Sequence, residues 1–217
     1  MRILGIVDVH GAHRRVAEMM VKEPDVDLVV FAGDLTTNGR AHDARAVLDA
    51  VGARAPRVFA VAGNMDPHPV EELLAMDGIA LNGRGVVVGD VGFLGSSGAP
   101  LSPLHTPNEV PEEELAARLA AGWRDVRGAR WKVLVSHAPP LGTRVDVLSS
   151  GAHVGSSAVR AFCDSHQPDL VLCGQIHEAR GVDRLGRTIL VNPGPAHTGA
   201  YCVIAIDEAV RVVPGQL

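Results

Sequence analysis

The chain reads as an α/β protein, a single domain over residues 1–217 with two sheets, each partly covered by helices. Three observations carry that expectation. Short apolar runs alternate with helical patterns, as in parallel strands joined by crossover helices. Later in the chain, pairs of short strands flank tight turns, which signals hairpins. The composition, 47% hydrophobic and 21% charged over 217 residues, is that of a soluble globular protein of a size one α/β domain reaches.

Taken in order, "RILGIV" (2–7) is a buried strand and "HRRVAEMMVK" (13–22) a helix. "VDLVVFA" (26–32) is a strand, and 40–52 the helix after it, closed by Gly52. "RVFAVA" (57–62) is a third strand, and "PVEELLAM" (69–76) a short helix with Pro69 at its start. The stretch 84–97 is a hairpin around a Gly-Asp turn. A Pro-rich loop leads to a helix over 109–123, with acids in its first turn where they suit the helix dipole. "WKVLVS" (131–136) resumes the buried strands, followed by a helix over 156–167 and the strand "DLVLC" (169–173). Hairpins over 181–192 and through "AYCVIAID" and "AVRVVP" finish the chain.

A net charge of −5 and a pI near 6.0 give no footprint for a nucleic-acid backbone. Cys163, Cys173 and Cys202 are widely spaced in apolar surroundings. They read as small core residues in a reducing compartment. No stretch is long enough to cross a bilayer and "MRILGIVDVHG" is too short for a signal peptide, so a cytoplasmic location is expected. Hairpin edges and the terminal strand are compatible with a homo-oligomer of unspecified size.

The chemistry collects after the strands. The first ends in "DVH" (Asp8, His10), the second in "GD" (Asp34), and the third in "GNMD" (Asn64, Asp66). Later strands end in "SH" (His137) and "GQIH" (Gln175, His177). In open α/β sheets, ligands bind outside the carboxyl ends of the strands, so five strands deliver polar groups to one rim. Singly, each motif is a common turn. Together they form a set of carboxylates, imidazoles and an amide suited to manganese, iron, nickel or zinc. A carboxylate such as Asp34 can serve two ions roughly 3.5–4 Å apart. The glycines before Asp34, Asn64 and Gln175 are expected to permit sharp backbone turns.

In this order the motifs D-x-H, G-D, G-N-x-[DE], H and G-x-x-H resemble those of the calcineurin-like metallophosphoesterases, in which the last reads G-H-x-H. The match runs from Asp8 to "VNPGPA" at 191–196, and "SHAPPLGT", "GAHVGS" and "IHEARG" resemble the small lid-less bacterial and archaeal branch. The resemblance implies a four-layer α/β/β/α sandwich and a dinuclear centre of two divalent transition-metal ions, manganese first, with nickel, iron or zinc as alternatives. It places Asp8, His10, Asp34 and His177 on one ion, and Asp34, Asn64, His137 and the residue at 175 on the other. It implies a phosphoesterase, with a phosphodiesterase as the expected form, in which a metal-bound hydroxide attacks phosphorus. The expected substrate is a small phosphate ester or nucleotide. Asn64, Asp66 and His153 are the expected catalytic residues.

Two departures matter. Many members carry a histidine after the asparagine, to protonate the leaving group, and here Met65 stands there. His153 is the expected substitute, beside Ser156 at the start of a helix whose first amides suit a phosphate oxygen. Gln175 replaces an imidazole ligand with a neutral amide oxygen, a weaker donor, so the second ion is expected to bind loosely. The alternative is a degenerate member acting as a binding scaffold. A nucleotide-binding domain of Rossmann or P-loop type is excluded, since neither glycine motif is present.

Overall fold

A computed structural model describes residues 1–52 and 57–217. The strands are β1 (Arg2–Ile6), β2 (Leu28–Ala32), β3 (Val58–Val61), β4 (Gly85–Val88), β5 (Val91–Ser96), β6 (Ala99–Pro100) and β7 (Glu109–Val110). They continue with β8 (Trp131–Ser136), β9 (Leu170–Leu172), β10 (Gly181–Leu185), β11 (Thr188–Asn192), β12 (Ala200–Ile206) and β13 (Val210–Gln216). The helices are α1 (His13–Lys22), α2 (Ala41–Asp49), α3 (His68–Met76), α4 (Glu112–Val126) and α5 (Ser157–His166).

Among the described residues, one sheet runs β13-β12-β1-β2-β3 and the other β10-β11-β9-β8-β5-β4. In the first, β1, β2 and β3 are parallel, with Ile3 opposite Leu28 and Val29 opposite Val58. In the second, β5, β8, β9 and β11 are parallel. The outer strands β4, β10, β12 and β13 pair antiparallel with their neighbours.

Strand side chains alternate between faces, and both faces of these sheets are covered, so the strands are apolar throughout. Ile3, Leu28, Val30, Phe59 and Val61 meet Phe93, Val133, Val135, Leu170 and Leu172 between the sheets. The intervening Leu4, Val29 and Phe31 face α1, α2 and α3 through Val16, Met20, Val47 and Leu74. On the far side Leu134 and Val171 pack with Leu119 and Val126 of α4 and Val159 and Phe162 of α5. The four-layer α/β/β/α sandwich follows.

The helix expected over 109–123 begins later and ends later. Val110 precedes Pro111, and a residue before proline is pushed out of helical geometry, so Glu109 and Val110 form β7 instead. β7 pairs with β6, a short two-stranded sheet within the Pro-rich loop. At its other end α4 runs on to Val126, which continues the buried stripe Leu115, Leu119, Gly122. The three hairpins lie where expected, and the cysteines are buried free thiols. Burial pushes Cys163 and Cys202 to about 12, consistent with core packing. Among the described residues no helix is long and apolar enough to cross a membrane.

Candidate metal centre

The loops after the parallel strands are laced together by backbone hydrogen bonds. Asp8 N donates to Gly33 O at 3.1 Å and His10 N to Asp34 O at 2.9 Å, joining the first two loops. Gly174 N donates to His137 O at 3.0 Å, joining the loops of the other sheet. Asp8 (φ 52°), His10 (φ 50°), Asp34 (φ 49°) and Gln175 (φ 66°) all have left-handed backbones. That conformation costs an L-residue with a Cβ about 1–2 kcal/mol, so strain concentrates at this rim. Gly33 (φ +93°) makes the sharp turn expected of it. Gly63 and Gly174 serve a different purpose, space: a Cβ on Gly63 would strike Asp34, and one on Gly174 would come within 2.8 Å of Asp8 Oδ2.

The rim brings together all seven expected ligands. Asp8 and His137 are fully buried and form its floor. Ligand atoms of Asp8, His10 and His177 lie within 4.8 Å of one another, as do those of Asp8, Asp34 and His137. Asp34 sits between the groups, its Oδ2 3.8 Å from His10 Nε2 and its Oδ1 3.5 Å from His137 Nε2. His10 Nε2 faces His177 Nε2 at 3.2 Å, while its Nδ1 lies 2.8 Å from Thr37 Oγ1.

The donor set fits divalent cations. His137 Nδ1 lies 2.9 Å from Ala32 O, which can only accept, so that nitrogen carries a proton and Nε2 is the ring nitrogen turned to the other ligands. Asn64 Nδ2 donates to Thr106 Oγ1 at 3.0 Å, and the Thr106 hydroxyl donates onward to Glu109 Oε1 at 2.7 Å. Asn64 Oδ1 is therefore left facing His137 Nε2 at 2.8 Å. With Nε2 unprotonated, these two atoms aim lone pairs at one point, an arrangement a cation can join. Asp8 Oδ2 and Gln175 Oε1 are likewise buried without a hydrogen-bond partner. Gln175 thus offers an unengaged oxygen where an imidazole is expected.

Protonation points the same way. Burial, with the charges of Asp34 and Asp66 adding to it against the pull of His137, raises Asp8 to about 7. Burial and the charge of Asp66 hold Asp34 well above the carboxylate range. His10 is lowered to about 4 by burial and then by its neighbours His177, His197 and His137. His177 is lowered by burial and then by His197 and His137. Metals bind neutral imidazole and ionised carboxylate, so His10 and His177 are ready while Asp8 and Asp34 must release their protons.

Three expected residues have other surroundings. Asp66 is fully buried behind the rim. Its carboxylate accepts from Leu35 N (3.0 Å), Thr36 N (2.8 Å), Thr36 Oγ1 (2.9 Å) and Gly63 N (2.9 Å), tying the Asp34 loop to the Asn64 loop. His153 is turned to Asp146, Nδ1 to Oδ1 2.7 Å, and is absent from the lining of the cavity above the ligands. The same carboxylate gathers Gly142 N, Thr143 N and Gly155 N, so His153 belongs to a loop-shaping cluster. The start of α5 does not offer its amides to phosphate. Glu112 at the start of α4 accepts from Ser157 N (2.8 Å), Ala158 N (3.0 Å) and the Ser156 hydroxyl (2.6 Å). The partial positive charge of the helix end already has its carboxylate, and Ser156 Oγ caps Val159 N.

His197 joins the site without having been expected there. Its ring lies 5.4 Å from that of His10 and 5.5 Å from that of His177, and its Nδ1 is 3.3 Å from Asp8 O. The sequence does carry a signal for it: "NPGPAH" follows β11, another parallel strand ending at the same rim.

A sequence model described as calcineurin-like phosphoesterase matches residues 1–179. The chain belongs to the calcineurin-like phosphoesterase family. The chain is 32% identical over 208 residues to an uncharacterized protein of Methanocaldococcus jannaschii, MJ1162, covering 93% of this chain and 91% of that one. Its fold is similar to that of TT1561 of Thermus thermophilus, with a TM-score of 0.76 at 17% identity over 99% and 98% of the two chains. It is also similar to a structure described as a novel archaeal phosphodiesterase, with a TM-score of 0.52 at 16% identity over 99% and 100%. The family implies divalent metal ions, and the chain's own donor set is suited to them.

Proposed function

We propose that this phosphoesterase is a metal-dependent phosphodiesterase with a dinuclear centre. Asp8, His10, Asp34 and His177 would hold one ion, and Asp34, Asn64, His137 and Gln175 the other. The observation that carries the reading is the convergence of ligand atoms: those of Asp8, His10 and His177 lie within 4.8 Å of one another, as do those of Asp8, Asp34 and His137, with Asp34 between the groups. Manganese is the first choice for this mixture of oxygen and nitrogen donors, with nickel, iron and zinc as alternatives. Bound divalent cations would neutralise phosphoryl charge and lower the pKa of water at the site.

The chain's own residues divide the remaining work. Asn64 lines the cavity and orients the phosphoryl group, while Asp66 positions the loops that carry Asn64 and Asp34. Met65 and Ile176 line the same cavity and keep water from the leaving group. Met65 supplies no proton, and His153 is committed to Asp146. Esters with good leaving groups are therefore the preferred substrates. Hydrolysis of bis-p-nitrophenyl phosphate with added manganese tests this. Turnover that chelator abolishes is the expected result. No turnover above the chelated control, together with less than one ion per chain, would favour a binding scaffold.

A further inference from the structure

Five of the ligands, His10, Asp34, Asn64, Gln175 and His177, form the floor of a cavity of about 800 Å³, within the size range of sites for small organic ligands. Above the floor much of the wall is apolar: Met65, Leu101, Leu104, Leu148, Val154 and Ile176. Leu101 and Leu104 are 66% and 79% exposed. Scattered exposed leucines are ordinary, but these two share a loop tied down by hydrogen bonds. Glu109 holds that loop through Ser102 N (2.8 Å), Ser102 Oγ (2.7 Å), Thr106 N (3.0 Å) and Thr106 Oγ1 (2.7 Å). Thr106 in turn accepts from Asn64, and Asn108 N donates to Asn64 O at 3.0 Å. The apolar wall therefore keeps a set position relative to the ligands.

The charges in the cavity are of one sign. Glu109, Glu112 and Glu178 line it, and among the described residues no lysine or arginine does. Glu178 accepts from Ser149 N at 2.8 Å, while Glu109 is engaged by its loop and Glu112 by the start of α5. A second phosphate or carboxylate carried away from the metal ligands would meet these carboxylates with no lysine or arginine to offset them.

We infer that the site takes monoanionic phosphodiesters with one uncharged, apolar ester arm, alkyl or aryl, laid along Leu101, Leu104, Val154 and Ile176. This rests on the phosphodiesterase reading and specifies its substrate class. Nucleoside polyphosphates and phosphate monoesters with a second anionic group are disfavoured.

The test uses the full chain with manganese and p-nitrophenyl diesters that share a leaving group. The second arm is methyl, butyl, hexyl, phenyl or 5-carboxypentyl. A buried methylene is worth up to about fourfold in affinity, so kcat/KM should rise at least about tenfold from methyl to hexyl, mainly through KM. The carboxypentyl ester should fall back to the methyl level, and the ranking of hexyl against phenyl separates a lipid-like from an aromatic arm. The Leu101→Ser/Leu104→Ser double variant should cut the hexyl-to-methyl ratio to about a third or less with an unchanged thermal melt. A wild-type ratio within about twofold, or an undiminished ratio in the double variant, would overturn the inference. Calorimetry with hexyl methyl phosphate and dimethyl phosphate provides a reading independent of turnover. Tighter binding of the hexyl compound without hydrolysis of any ester would sustain the apolar wall and sink the phosphodiesterase reading. Equal binding of the two would sink the apolar wall.

Discussion

Asp66 offers the sharpest separation of scaffold from chemistry. In Asp66→Ala, three backbone amides (Leu35, Thr36 and Gly63) and the Thr36 hydroxyl lose their acceptor in a place water does not reach. A buried donor left unpaired costs about 1–3 kcal/mol, so the three amides together come to roughly 3–9 kcal/mol. Removing a carboxylate whose pKa burial raises offsets part of that, which keeps the total toward the lower end. For a chain of this size the melting temperature should fall by roughly 10–20 °C. Asp66→Asn keeps one acceptor oxygen but turns an amide NH₂ toward the remaining donors, and should melt between the two. The assay is thermal unfolding by circular dichroism in chelator, so that metal binding does not mask the change. Turnover with saturating manganese is measured alongside on folded protein. If Asp66→Ala melted within about 2 °C of the parent while losing turnover about a hundredfold, Asp66 would be acting chemically and the scaffold argument would be wrong.

Asp34→Asn and His10→Asn should abolish bis-p-nitrophenyl phosphate hydrolysis while the chelated proteins melt within about 1 kcal/mol of the parent, because both side chains sit at the rim. A loss of cooperative unfolding in either would mark that residue as structural. Gln175→His replaces a neutral amide with a stronger donor and should lower the manganese concentration for half-maximal activity about tenfold or more, read by metal titration. An unchanged requirement would mean residue 175 does not reach an ion. Manganese affinity should weaken at least about tenfold per pH unit below about 7, because Asp8 holds a proton there until metal displaces it and Asp34, also raised by burial, adds to the slope. His10, lowered to about 4, does not compete in that range. Calorimetric affinities that stay flat from about pH 5 to 8 would contradict this. The metal-free protein should show the matching stability trend. Asp8's pKa is raised from 3.8 to about 7, so its contribution is lost as pH rises through that window. The contribution of His10, lowered from 6.5 to about 4, runs the other way and is lost as pH falls.

Much of the site is legible in the linear chain because its logic is local. An apolar strand followed by an acid, amide or imidazole says both that the strand is buried and that the polar residue lies at its carboxyl end. That rule finds Asp8, His10, Asp34, Asn64, His137, Gln175 and His177, and applied beyond β11 it reaches His197 as well. It fails for Asp66, two residues past Asn64 on the same loop. Whether a carboxylate faces the cavity or turns back onto neighbouring amides depends on which amides the adjacent loop presents. The start of α4 differs from expectation for a reason that is in fact local, the restraint Pro111 places on Val110.

Sequence by itself determined the class of fold and the chemical types at the rim, since burial periodicity and strand-end residues are properties of short windows. Only the tertiary structure decided how those groups are spent. Glu112 comes from a different helix to occupy the amides of α5, Asp146 takes His153, and Thr106 turns the Asn64 amide so that its oxygen faces His137. Hydrogen-bond partners far apart in the chain are assigned by packing, and no window of sequence contains both.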